Sequence, residues 1–178
     1  MYGKRPDPEA LAVELRRFAV ALHADSRLQI DAAAARLLAD ETVARALVAV
    51  EADGAAPHEE RRRRAYGACI ADNRRRMRLA LDADAEANAP PPAPRPTRYD
   101  DAVAAAMAHL GADLREALLV VTLGGFSHEE AALALDVPLA TAANRLIRAR
   151  RTLTLALRGA ESDGPRAPRN PPRLRVVK

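Results

Sequence analysis

Thr141, Asn144, Arg145, Arg148 and Arg151 are the side chains whose types and spacing suit them best to chemistry with a polyanion. At about 3.6 residues per helical turn they gather on one side of a helix. The apolar set Leu139, Ala142, Leu146, Ala149 and Leu153 recurs at three- and four-residue steps and predicts a buried seam on the other side. Guanidinium groups bond phosphates and guanine edges, a carboxamide pairs with adenine, and a hydroxyl adds a short polar contact. A basic helix by itself is better explained as a solvated surface, so the elements that would hold it decide the reading.

Those elements are legible just upstream. Ser127 and Glu130 have the Ser-x-x-Glu spacing of a capping box, which predicts a helix from there to about Leu135. Asp136, Val137 and Pro138 supply a tight turn, with proline near the first position of the next helix, where its missing amide is harmless. Leu133 and Val137 are expected to pack inward. A capped helix, a tight turn and a second helix that is basic outside form the pattern of a helix-turn-helix. Before it, Tyr99 to Leu110 reads as a short helix with Val103, Met107 and Leu110 inward. Another starts at Asp113, carries Leu114, Leu118, Leu119 and Val121, and stops at Gly124 and Gly125.

Charge supports the same end of the chain. Residues 1–88 carry 15 basic and 15 acidic side chains, residues 89–143 carry 3 and 7, and residues 144–178 carry 10 and 2. A terminal excess of this kind attracts polyanions through counterion release. The 49% hydrophobic content is mostly alanine and leucine with only 3% aromatic residues, which favours small-residue helix packing and an all-α fold. Cys69 is the only cysteine, so an internal disulfide and a cysteine-based zinc cluster are excluded; beside Tyr66 and Ile70 it reads as a buried structural thiol. His23, His58, His109 and His128 are dispersed, so no metal site is expected, and no phosphate loop or nucleophile elbow is present. Neither an enzyme, nor a cofactor, nor a small-molecule substrate is expected. No apolar run approaches the roughly 20 residues of a membrane span, and a cytoplasmic location is expected.

In the first half, Leu11, Leu15, Phe18, Ala19 and Leu22 predict a helix over Pro8 to His23. Asp31 is read as the cap of a second helix through Leu37 and Leu38, and Asp40 as the cap of a third through Val43, Leu47 and Val50. Glu59 to Leu81 reads as a long basic helix containing Arg61–Arg64 and Arg74–Arg76, with Ala65, Tyr66, Cys69, Ile70, Met77 and Leu81 apolar. Five prolines between Ala89 and Pro96 then impose an extended linker. The expected organisation is two small helical domains, at 8–88 and 99–158, joined by a proline-rich linker at 89–98 and followed by a disordered basic tail at 159–178.

Leu114 to Leu153, LREALLVVTLGGFSHEEAALALDVPLATAANRLIRARRTL, resembles region 4 of the extracytoplasmic-function sigma factors. The matching features are the Gly-Phe-Ser entry with Glu129 and Glu130, the Val137-Pro138 turn, and the Arg145-Leu146-x-Arg148-Ala149-Arg150 run. In that family the last helix reads the minus 35 promoter element, so the resemblance implies DNA contacts at Thr141, Asn144, Arg145 and Arg148. Asp136 and Ala140 stand where the family commonly has glycine, and Ala143 where many members have lysine. Asp136 tolerates the left-handed conformation the turn requires.

The opening Leu15 to Leu22 and the stretch from Ala65-Tyr66 to Asn73-Arg74-Arg75-Arg76 resemble the two ends of region 2. Between them, Ala32 to Ala35 replace the polar helix by which the family contacts the polymerase clamp. Tyr66 is the aromatic residue in the expected helix that could hold an unstacked promoter base. The resemblance implies a divergent region 2, a role in transcription initiation, and promoter DNA, core RNA polymerase and an anti-sigma factor as partners. Sigma-mimicking regulators of the general stress response share the eroded region 2, which leaves a decoy for an anti-sigma factor as an alternative. A stand-alone helix-turn-helix regulator is the third. The mimics carry a receiver domain after the sigma-like part, for which the tail here is too short.

Overall fold

The computed structural model describes residues 8–23, 32–51, 56–84, 99–108 and 110–162. They form α1 (Pro8–His23), α2 (Ala32–Glu51), α3 (His58–Asp84), α4 (Tyr99–Ala108), α5 (Ala112–Thr122), α6 (His128–Leu135) and α7 (Leu139–Ser162), with no strand among them. The chain is therefore all-α, as composition and periodicity require. The linker expected at 89–98, the Asp31 cap and residues 163–178 lie outside the described residues. Gly159 to Ser162, expected to open the tail, continue α7 instead.

Pro8 opens α1, where no amide partner is needed, and Glu9 sits at its positive end. Leu15, Phe18, Ala19 and Leu22 are buried, so the expected face is the packed one. The two helices expected between Asp31 and Val50 are a single helix. Asp40 lies inside it and pairs with Arg16 of α1 at 2.5 Å. Alanine propensity carries the helix through the acidic pair Asp40-Glu41. Its buried side, Ala35, Ala39, Thr42, Val43, Ala46 and Val50, is small enough to let α1 and α3 approach closely, while Leu37 and Val48 face solvent.

A polar chain ties α1, α2 and α3 together. Thr42 Oγ1 donates to Asp72 Oδ2 at 2.7 Å, so its remaining bond at 3.1 Å must be accepted from His23 Nε2–H, which fixes the imidazole tautomer. Asp72 also accepts from Arg45 at 2.6 Å and Arg76 at 2.8 Å. Burial, reinforced by the Arg76 charge, lowers the His23 pKa to about 4. Burial opposes ionisation of Asp72, but hydrogen bonds from Arg76 and Thr42 prevail and bring it to about 2.

The two helical units expected on either side of the linker pack directly on one another. α1 lies against α5, and α3 against α6 and α5. One continuous core joins Leu15, Phe18, Tyr66 and Ile70 to Leu119, Val120, Phe126, Ala131 and Leu135. A smaller cluster of Leu110, Leu118, Leu146 and Ala149 holds α7 to the rest of the second unit.

Candidate nucleic-acid interface

The helix-turn-helix is α6, the turn Asp136–Pro138 and α7. Ser127 Oγ accepts from the Glu130 amide at 3.2 Å, and Glu130 Oε2 accepts from the Ser127 amide at 2.8 Å, completing the capping box. That backbone bond holds the Glu130 carboxyl below its ordinary pKa. Asp136 ends α6 at φ 54° and ψ 54°, the left-handed geometry expected of it in place of glycine. Its amide and that of Val137 close the turn on Leu133 at 3.3 Å and Ala132 at 3.0 Å. The Pro138 carbonyl accepts from Thr141 and Ala142, starting α7.

Ala142, Leu146 and Ala149 are buried and Leu153 is half-buried, so the expected seam of α7 is largely the packed one. Leu139 departs from it. At the very start of the helix it is 45% exposed, because no element covers the first turn on that side. Leu133 also departs, at 63% exposed: the inward positions of α6 are taken by Ala131, Ala132, Ala134 and Leu135, and Leu133 falls on the opposite side.

The five candidate contact residues divide. Asn144, Arg148 and Arg151 are exposed on one face of α7, and the two arginines make no ion pair with a described residue. Thr141 is half-buried at the edge of that face. Arg145 bonds Asp113 of α5 at 2.8 Å with its side chain 21% exposed, so it ties α7 to α5. Ile147 lies in the middle of the face and is 64% exposed, which sequence reasoning missed by selecting polar residues only. Its three-residue step from Asn144 is the signal that would have found it, and a methyl-bearing side chain there suits contact with a thymine methyl.

The basic helix of the first unit is arranged differently. Tyr66 is fully buried, with its ring 4.6 Å from that of Phe18 and 5.0 Å, edge-on, from that of Phe126. It is therefore not presented to a base in this arrangement, a correction to the expectation from sequence. Burial raises its pKa to about 12, with the neighbouring Arg62 guanidinium pulling against the shift. Cys69 is buried as expected, and burial likewise raises its thiol to about 12. Arg62 covers both Tyr66 and Phe126, with 5.3 Å and 4.5 Å to the ring centroids, and donates to the Gly124 carbonyl.

Arg74 donates to Glu116 at 2.9 Å and to the Leu135 carbonyl at 3.2 Å. Burial raises the pKa of Glu116, and Arg74 and Asn73 pull against it. Arg115, fully buried, donates to the carbonyls of Met107, Leu110 and Leu22, joining the ends of α4 and α1. Among the described residues no helix is long and apolar enough to cross a membrane.

Comparison with known proteins agrees with this geometry. Residues 100–153 match the family model described as Sigma-70, region 4. No curated protein matches the chain. Among solved structures it is similar to the sigma factor RpoE of Bartonella quintana, solved in complex with the anti-sigma factor NepR. Identity is 24%, the TM-score is 0.59, and the match covers 84% of this chain and 93% of that one. Residues 100–153 of this chain thus match a sigma-70 region 4 domain, and the chain has a fold similar to that of the Bartonella quintana protein.

Proposed function

We propose that this chain is a sigma-factor-like transcription initiation protein of the extracytoplasmic-function type, which binds promoter DNA through α7 and associates with core RNA polymerase in the cytoplasm. It acts by binding, not catalysis. The observation that carries this reading is the open face of α7, where Asn144, Arg148 and Arg151 stand exposed behind a capped helix and a closed turn. Asn144 and the first turns would read base edges, and Arg148 and Arg151 would neutralise phosphates.

The test is purified protein with core polymerase and a promoter duplex, read as salt-sensitive holoenzyme formation and promoter-dependent transcription. Arg148→Ala should weaken duplex binding across sequences and reduce the salt slope by about 1. Unchanged affinity at low salt would sink the proposed face.

A second reading has its own support. Tyr66 is buried, and the similar Bartonella quintana protein was solved bound to an anti-sigma factor. A decoy that occupies an anti-sigma factor would need the sigma shape but no base-holding aromatic. Tight binding to an anti-sigma factor without binding to core polymerase would select it.

A further inference from the structure

The α1–α2 pair carries two arginines that its own ion pairs leave over. Arg17 of α1 has Glu14 one turn before it, and Arg36 of α2 has Asp40 one turn after it, the three- and four-residue spacings at which helical ion pairs form. Both acids are engaged elsewhere. Glu14 pairs with Arg62 of α3 at 3.1 Å, and Asp40 reaches across to Arg16 of α1 at 2.5 Å. Arg17 and Arg36 are exposed and make no ion pair with a described residue. They nevertheless converge: with Arg16, Val20 and Asp40 they line one open cavity of about 540 Å³ between the two helices. That volume lies in the roughly 300–1,000 Å³ range of small-molecule sites. Three guanidinium groups line it against a single carboxylate. Arg16 and Asp40 also border a smaller cavity of about 260 Å³, whose other walls include Val13, Val43 and Leu47, so the cationic end of the groove runs into an apolar one.

We infer that this cavity binds a small phosphate ester of nucleotide size, its phosphate groups held by Arg17 and Arg36 and its uncharged part lying against Val20 and toward the apolar end. A guanidinium offers a planar fork that matches two phosphate oxygens at once, and two such forks from different helices fix both the position and the orientation of the anion. Asp40 opposes the ligand through its own charge and through its hold on Arg16, so it sets the affinity from within the site. The site involves α1 and α2 alone and rests on nothing proposed for α7.

The experiment titrates the full chain at low salt with pyrophosphate, adenosine diphosphate and adenosine. Isothermal titration gives the affinities, and the arginine Nε–H signals in proton–nitrogen correlation spectra report which guanidinium groups are engaged. Pyrophosphate and adenosine diphosphate should bind and shift the Arg17 and Arg36 signals, while adenosine should not bind. Arg17→Gln and Arg36→Gln should each weaken binding about tenfold, the loss of one hydrogen bond to a charged group. Asp40→Asn should strengthen it about threefold, because it removes a charge of the ligand's own sign and frees Arg16. Arg148→Gln, on α7, should leave it unchanged. The Arg16–Asp40 pair and the two free arginines lie at the surface, so these variants should fold, which melting followed by circular dichroism checks.

No binding of either phosphate probe at millimolar concentration, unchanged affinity in both Arg17→Gln and Arg36→Gln, or weaker binding by Asp40→Asn each overturns the site. An equal loss in Arg148→Gln overturns it as well, since the anion would then be drawn to exposed guanidinium groups anywhere on the chain. An acidic peptide that binds more tightly than adenosine diphosphate would overturn the assignment to a small molecule. Duplex binding by α7 stands or fails separately from all of these outcomes.

Discussion

Helices α3 and α7 are both rich in arginine, yet the structure uses that charge in opposite ways. In α3, Arg62, Arg74 and Arg76 are directed inward or sideways to Gly124, Glu116, Asp72 and Glu41, and Arg64 and Arg75 pair with Glu60 and Asp72 along the helix. In α7 Arg145 is tied to Asp113, while Arg148 and Arg151 face solvent. A guanidinium is a structural tie where an acid or a carbonyl lies within reach, and a ligand for an external anion where none does. Local charge counts are blind to that difference. Acidic residues on neighbouring elements make α3 a framework, and their scarcity leaves Arg148 and Arg151 of α7 open to solvent.

The strongest way to break the comparison is to remove what joins the two units. Phe126 is 4% exposed in the shared core, so Phe126→Ala should cost about 3–5 kcal/mol in chemical denaturation. A cost below about 1 kcal/mol would mean that the units do not share a core in solution.

The next test concerns the framework role of α3. His23 is held neutral with a pKa of about 4 against an ordinary 6.5. As pH falls below 6.5 the unfolded chain takes up the proton first. Stability that is complete at neutral pH should therefore decline between about 6.5 and 4, by on the order of 2 kcal/mol after solvent screening. His23→Gln should flatten that part of the profile. The Asp72 contribution is present above its ordinary value of 3.8 and is lost only as pH falls toward about 2, so the two groups are separable by pH.

Smaller effects sharpen the α7 side. Ser127→Ala removes one half of the capping box and should cost about 1 kcal/mol, measured by thermal melting, without altering α1–α3. Arg145→Ala should cost no more than about 1 kcal/mol and leave duplex affinity nearly unchanged, whereas Arg148→Ala should weaken binding with little effect on stability. Equal losses of affinity in the two variants would show that Arg145 leaves Asp113 when DNA arrives.

Much of this was legible beforehand for identifiable reasons. The α1 face, the Ser127–Glu130 box and the Asp136 turn depend on interactions within a few residues, so local spacing specifies them. Asp40 misled because a helix interior in an alanine-rich run tolerates a residue that elsewhere caps, and its partner Arg16 is 24 positions away. Leu133 and Leu139 misled because an apolar residue near a turn has no fixed obligation to be buried. Arg145 and Arg148 have the same chemistry in the sequence, and only the position of Asp113 on another helix separates them.

The sequence by itself determined most of the helices, the helix-turn-helix and the basic character of its second helix, since propensity, capping and periodicity are short-range, although it divided α2 and ended α7 early. Only the tertiary structure decided that Tyr66 is covered, that Arg62 and Arg74 serve the interior, and that Asn144, Arg148 and Arg151 remain free of it. Those outcomes depend on which surfaces meet between residues 42 and 62 positions apart, as Arg74 with Glu116 and Arg62 with Gly124. Burial and pairing are properties of the assembled core, and no single helix carries them alone.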